Sequence, residues 1–242
     1  MIRHPKFNRG NIYLSGGMQF SPNKGEDWRR VCAKKLMSMK YFPIDICQLD
    51  RAYAKKHGEL FYKYKDDFDE LDMIEFKSNI RKHFHFTDCE LVKKDSDAII
   101  VLWDESAQLG AGTHSEAHVA YENDIPVFVV NTMPLSKVPG WFISESTKVF
   151  SDFPSLYKYL KELPKGILCR DSYGNHRAGN KYLCSLCGNP FTKGKHHFIS
   201  KVSPLLCNPC VDVVTKTNEA MKDRYEFFMD FYEKEALKEL KK

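Results

Sequence analysis

Apolar positions along the chain alternate between short continuous runs and helical spacing. Residues 11–15 (NIYLS) form a β-type run that ends in Gly16-Gly17. A helix is expected over 26–39, with Val31, Leu36 and Met39 on its apolar face. Residues 41–46 read as a second strand. The stretch 50–83 is highly charged and aromatic, and reads as an insertion holding one long helix with its acids turned to solvent. A short helix over 87–94 follows, with Thr87 or Asp88 as its cap.

Residues 98–102 (AIIVL) and 125–130 (IPVFVV) are continuous apolar runs, the pattern of central parallel strands buried on both faces. Between them, 103–112 reads as a loop and 113–121 as a helix. A last short strand is expected over 147–150, and a closing helix over 155–163. Strands alternating with helices predict an α/β fold, a parallel sheet with helices on both faces. Ligands in such sheets sit beyond the C-terminal strand ends. This directs attention to Ser15-Gly16-Gly17-Met18 and to the 104–112 segment.

Composition changes this picture little. The 242 residues are 43% hydrophobic and 29% charged, an ordinary globular balance. No apolar run approaches the ~20 residues that span a bilayer, so no membrane partner is expected. The polar N-terminus lacks a signal-type apolar region, and a cytoplasmic protein is the expectation. The net charge of +5 is concentrated in the tail, where residues 166–242 carry 13 Lys/Arg against 9 Asp/Glu. This basic tail is a candidate for nucleic-acid contact.

Cysteine spacing separates the tail further. Cys32, Cys47 and Cys89 are scattered among apolar neighbours and read as buried thiols. Cys184, Cys187, Cys207 and Cys210 form two C-x-x-C knuckles with 19 residues between them, a strong zinc signature. Four thiolates close the coordination sphere, so a structural zinc and no organic cofactor are expected. The division that follows is an α/β domain over 1–163, a polar linker over 164–180, and a zinc-binding domain over 181–242. Loss of the metal is expected to unfold the last of these and spare the first. Residues 215–242 read as one long amphipathic helix, with Tyr225, Phe228, Met229, Tyr232, Ala236 and Leu240 at helical spacing.

The central segment DCELVKKDSDAIIVLWDESAQLGAGTHSEAHVAYENDIPVFVV resembles the core of the nucleoside 2-deoxyribosyltransferase family and its nucleotide N-glycosidase relatives. The features that carry the likeness are Asp97, the 98–102 strand, Gly110, Gly112 and Thr113, Glu116, Ala120 and Ile125-Pro126-Val127. The opening Tyr13-Leu14-Ser15-Gly16-Gly17-Met18 with Asp27-Trp28-Arg29 also fits, as does Pro139-Gly140-Trp141. Together they span roughly residues 11–162. The resemblance implies a flavodoxin-like (Rossmann-like) sheet and an enzyme acting at an N-glycosidic bond. It implies Glu116 as the carboxylate that stabilises or captures the sugar C1′, Asp88 as the group that assists the leaving base, and Tyr13 as the residue that orients the nucleophile. It places substrate contacts at Ser15, Gly16, Gly17, Met18, Gln108, Gly110, Gly112 and Thr113. A homo-oligomer is also implied.

The chemistry suits those residue types. Breaking a C1′–N bond builds oxocarbenium character on the sugar, which a carboxylate on the opposite face offsets. A helix N-terminus favours that carboxylate in its ionised form. Two departures stand out. Ala107-Gln108-Leu109-Gly110 lacks an aspartate that many of these transferases carry, and the 50–83 insertion has no recognised counterpart.

The knuckles also resemble the zinc core of HNH endonucleases, with His196-His197-Phe198-Ile199 between them. Val211 stands where that family usually has a histidine, so a binding module of treble-clef type is expected rather than a nuclease. Three functions therefore compete. The first is cleavage or transfer at the N-glycosidic bond of a (deoxy)nucleoside or nucleotide. The second is an NAD-type glycohydrolase. The third is a non-catalytic nucleic-acid or protein-binding module that works through the zinc domain.

Overall fold

A computed structural model describes residues 6–57, 69–170, 176–192 and 205–221. Its centre is a parallel sheet of five strands: β1 (Asn11–Gly16), β2 (Phe42–Ile44), β3 (Ala98–Trp103), β4 (Val127–Asn131) and β5 (Lys148–Phe150). Their order across the sheet is β2-β1-β3-β4-β5, the flavodoxin-like order. The chain reverses its winding between β1 and β3, so the crevice for a ligand opens beyond the C-terminal ends of those two strands. Ser15 pairs with Val101 there, and Gly16 with Leu102.

Alternation along the central strands builds two cores. Ile12, Leu14, Ala98, Ile100, Phe128 and Val130 face one way, toward Leu36 of α1 (Glu26–Ser38) and Leu156 and Leu160 of α7 (Phe153–Glu162). Tyr13, Ile99, Val101, Trp103, Val127 and Val129 face the other, toward Ala117 and Ala120 of α5 (Ala111–Glu122) and Phe142 of α6 (Gly140–Glu145). A continuous apolar run is needed because neither face meets water.

Several elements differ from expectation. The inner face of α1 is Arg29, Cys32, Ala33 and Leu36. Val31 is 61% exposed, because position 31 falls outside that i, i+3, i+4, i+7 stripe. The second strand stops at Ile44, and Ile46 already opens α2 (Ile46–His57). Among the described residues, the 50–83 stretch therefore holds parts of two helices, not one. The second, α3 (Glu70–Ile80), is capped by the Asp69 carboxylate, which accepts from the Asp72 amide. It carries on without a break through the wide-turned stretches Arg81–Asp88 and Leu91–Asp95. No separate helix starts at residue 87. Thr87 donates to the Lys82 carbonyl five residues back, as the wider turn allows, and Asp88 is interior rather than a cap.

The 103–112 segment is likewise mostly helical. Asp104 caps α4 (Glu105–Leu109), and Gly110 then caps α5, which begins at Ala111. This puts Glu116 in the second turn rather than the first. The last strand and closing helix are present as β5 and α7, the latter capped by Asp152.

Beyond α7 the chain runs beneath the N-terminal ends of the strands. Ile167 and Leu168, in the stretch expected to be a polar linker, are fully buried in the first core. His176 bridges the carbonyls of Leu168 and Asp124. A small antiparallel sheet follows, in order β6 (Arg177–Ala178), β7 (Lys181–Leu183) and β8 (Pro190–Thr192), and then α8 (Asn208–Met221). This helix starts earlier than expected. Residues 222–242, with the expected aromatic stripe, lie outside the described residues, as do His196 and His197. Among the described residues no helix is long and apolar enough to cross a membrane.

Candidate active site and cysteine cluster

Tyr13 and Ser15 are two apart on β1 and so project to the same face, beneath α5. The helix comes close there because its inner positions are Thr113, Ala117 and Ala120. Glu116 lies beside that small-residue stripe. The Tyr13 hydroxyl donates to Glu116 Oε1 at 2.6 Å, and the Ser15 hydroxyl donates to Oε2. One donor on each oxygen fixes the carboxylate plane and leaves lone pairs free on both.

Burial pushes Glu116 above the ordinary carboxylate range, while Ser15, Tyr13 and the charge of Arg29 pull it back. Burial also raises the Tyr13 phenol well above its usual value, with the charges of Glu116 and Asp88 adding to the effect. Tyr13 therefore stays a donor.

Asp88 comes to this carboxylate from the helix that continues α3. It is 8% exposed. Burial first, then the charges of Glu116 and Asp50, push its carboxyl up to about 8. At neutral pH it holds a proton. One carboxyl is clamped by donors and the other is kept neutral by burial, an arrangement that can divide base and acid roles.

The first loop is built around glycine. A Cβ on Gly17 would lie 2.1 Å from Ser106 Oγ and 2.6 Å from the Ser106 carbonyl carbon, so the loop backbone rests directly on α4. Ser106 is held by donation to Asp104 at 2.6 Å. Met18 packs on the second core. Gln108 is exposed on α4, Gly110 caps α5, Gly112 sits exposed in its first turn, and Thr113 is buried. Of the expected contact residues, Ser15 reaches Glu116 and Gly17 lines the loop. His114 packs edge-on against Trp103, which stacks on Phe142 at 3.8 Å between centroids. His118 pairs with the buried Glu145 at 2.8 Å, away from Glu116.

Sequence reasoning misses three contributors. It presents Ser15 as a contact to substrate, not as a clamp on Glu116. It presents Arg29 only as part of a motif, yet this residue is 1% exposed beneath the loop. The signal is an arginine on the same helical stripe as Cys32, Ala33 and Leu36. Asp50, whose charge reaches Asp88, lies hidden among the acids of the insertion.

The four knuckle cysteines converge, with all four sulfurs within 4.8 Å of one another. Cys187 and Cys207 sulfurs are 3.8 Å apart. That matches the edge of about 3.8 Å in a tetrahedron of thiolates ~2.3 Å from a central zinc. The first pair lies between β7 and β8. Cys207 precedes α8, Cys210 is in its first turn, and the Cys207 amide donates to Cys184 Sγ at 3.4 Å. The donor set and spacing fit a closed zinc site.

This cluster sits at the opposite end of the sheet from Glu116. Lys148, at the start of β5, donates to the Asn189 side chain at 2.9 Å and to the Cys187 carbonyl at 3.4 Å. Tyr159 of α7 donates to the Gly188 carbonyl.

No protein-family model and no curated protein matches the sequence. Among solved structures, the fold is similar to that of a 2-deoxyribosyltransferase from the psychrotolerant bacterium Bacillus psychrosaccharolyticus, at 11% identity and a TM-score of 0.39. That alignment covers 65% of this chain and 95% of the other. A conserved protein from Enterococcus faecalis V583 aligns at 18% identity and a TM-score of 0.38, over 63% of this chain and 97% of the other. Likeness at this level assigns no activity to the present chain.

Proposed function

We propose that the protein cleaves or transfers at the N-glycosidic bond of a nucleoside or nucleotide, with Glu116 as nucleophile. The observation that carries this is the carboxylate clamped by Tyr13 and Ser15 at the sheet's ligand-binding end, with a proton-bearing Asp88 beside it. Glu116 forms a bond to C1′, or pairs with its developing positive charge, as the C1′–N bond breaks. Asp88 gives its proton to the departing base. Water or a second base then takes the sugar from Glu116, and Asp88 recovers a proton from that acceptor. Tyr13 and Ser15 hold the carboxylate in one orientation throughout.

In the same reading, residues 1–163 form the catalytic domain, whose core Ile167 and Leu168 of the 164–180 segment complete, and residues 181–242 form the zinc-bearing unit. Cys184, Cys187, Cys207 and Cys210 hold the metal, whose contribution is to fold and dock the tail. Its position at the N-terminal strand ends supports a structural role.

The test is incubation with nucleosides, nucleotides, NAD and free bases, followed by chromatography. Release of free base, or exchange of one base for another, is the expected result, and Glu116→Gln abolishes it. A 2-fluoro sugar analogue is expected to leave a covalent adduct on Glu116. An adduct on another residue overturns the assignment. No turnover of any substrate by wild-type protein favours a binding module instead.

A further inference from the structure

The turn Cys187-Gly188-Asn189 closes the first cysteine pair, and it rests on the α/β unit. Gly188 has φ +69°, and a Cβ there would lie 3.0 Å from the Tyr159 hydroxyl and 3.4 Å from both Lys148 Cβ and Thr147 Cγ2. A side chain at that position would therefore lift the turn off β5 and α7. The polar contacts run the same way. Tyr159 donates to the Gly188 carbonyl. Lys148 Nζ donates to the Asn189 side-chain oxygen at 2.9 Å and to the Cys187 carbonyl at 3.4 Å. Nζ also lies 5.1 Å from the centre of the Tyr159 ring, so the cation and the ring steady each other.

The turn is tied back to the other cysteine of the pair. The Gly188 amide donates to the Cys184 carbonyl at 2.9 Å, and the Cys184 amide to the Asn189 carbonyl at 3.1 Å. Holding the turn thus holds both Cys184 and Cys187. Cys207 and Cys210 reach the cluster differently, from the start of α8. Their link to the first pair lies within the tail, through the Cys207 amide on Cys184 Sγ and the Ser185 amide on the Leu205 carbonyl.

We propose that Lys148 and Tyr159 are positioning residues of the metal site: the α/β unit sets the Cys184–Cys187 half in its ligating geometry before a metal arrives, and zinc is bound more tightly for it. A metal that must order its own ligands loses affinity to the entropy of ordering them. A half-site fixed in advance lowers that cost. Groups that orient metal ligands from outside the coordination sphere are worth about 10- to 100-fold in affinity.

This inference rests on reading the four cysteines as a zinc site, and its test needs no turnover. The full chain is loaded with zinc and titrated with a competing chelator, well below its melting temperature. Lys148→Met and Tyr159→Phe are each expected to weaken zinc binding about 10- to 100-fold, with the circular dichroism of the fold unchanged. Lys148→Arg keeps a charged donor and is expected to recover most of the loss. Lys158→Met removes an exposed cation from α7 and is expected to bind as wild type. Co2+ in place of zinc reports ligand geometry through its visible absorption. Its bands are expected to shift in Lys148→Met and Tyr159→Phe and to return in Lys148→Arg. Wild-type affinity in Lys148→Met or in Tyr159→Phe overturns the proposal, as does an equal loss in Lys158→Met. Should Lys148→Met not fold, Tyr159→Phe, which loses a single hydroxyl, carries the test. Protein that holds no metal at all sinks the zinc reading itself. Metal held equally by every variant sinks only the role of Lys148 and Tyr159.

Discussion

The Tyr13 hydroxyl meets Glu116 Oε1 at 2.6 Å, although the two residues stand 103 positions apart in the chain. A hydrogen bond to a charged group is worth about 1.5–3 kcal/mol. Tyr13→Phe is therefore expected to lower kcat/KM by roughly tenfold to a hundredfold with the fold intact. Glu116→Ala should cost several orders of magnitude, because in the proposed mechanism it removes the carboxylate that meets the sugar's developing charge. Steady-state kinetics with circular dichroism as the fold control checks both. Near-normal turnover by Glu116→Ala would remove the nucleophile from the mechanism.

With Asp88 as the proposed acid, it is expected to set the alkaline side of the pH profile. Its carboxyl is pushed up to about 8, so the proton needed by the leaving base is lost as pH rises through that value. Activity is expected to fall above about pH 8. Asp88→Asn should remove that limb while lowering the rate roughly 10²–10⁴-fold. Because Asp88 and Glu116 interact, the measured midpoint belongs to the pair. An alkaline limb that persists in Asp88→Asn would assign it elsewhere.

The same shift makes stability depend on pH. The folded chain keeps the Asp88 proton up to about 8, while the unfolded chain gives it up near pH 4. The folded state is thus favoured most below about pH 4 by this group, and the benefit is lost progressively as pH rises to about 8. Asp88→Asn has no such slope. Its melting temperature relative to wild type should be higher at about pH 8.5 than at about pH 5. A constant difference across that range would contradict the burial of a titrating Asp88.

Gly17→Ala probes the contact between loop and helix. With a Cβ 2.1 Å from Ser106 Oγ, the loop and α4 must separate. Loss of substrate binding is expected to exceed the loss of thermal stability, and the variant is compared with wild type in both. Wild-type binding would mean the loop does not contact substrate.

Freshly purified protein is expected to carry about one zinc per chain. Cys184→Ser or Cys207→Ser should release it and lower the melting temperature of the α/β unit as well. Leu183, next to Cys184, belongs to the first core, and the knuckle hydrogen-bonds to Lys148 and Tyr159. Calorimetry with metal analysis checks this. An unchanged α/β transition would make the zinc unit an independent appendage.

Sequence alone determined the sheet and its neighbours. The runs at 98–102 and 125–130 are apolar at every position because both their faces are covered, as a central parallel strand requires. The two C-x-x-C pairs are equally self-contained, since metal spacing is a local property and the sulfurs do converge. Helix boundaries were less legible. Asp88 looks like a cap because Thr87-Asp88 is a capping pattern, but Asp69 has already started the helix, and wide turns carry it past both residues. Only the tertiary structure brought Tyr13 and Ser15 onto Glu116 and Asp88 into its field, because β1, the helix that continues α3, and α5 are far apart in the chain. Arg29 adds a second reason. Its charge argues for solvent, and only the four backbone carbonyls that fold around it make a buried position tenable.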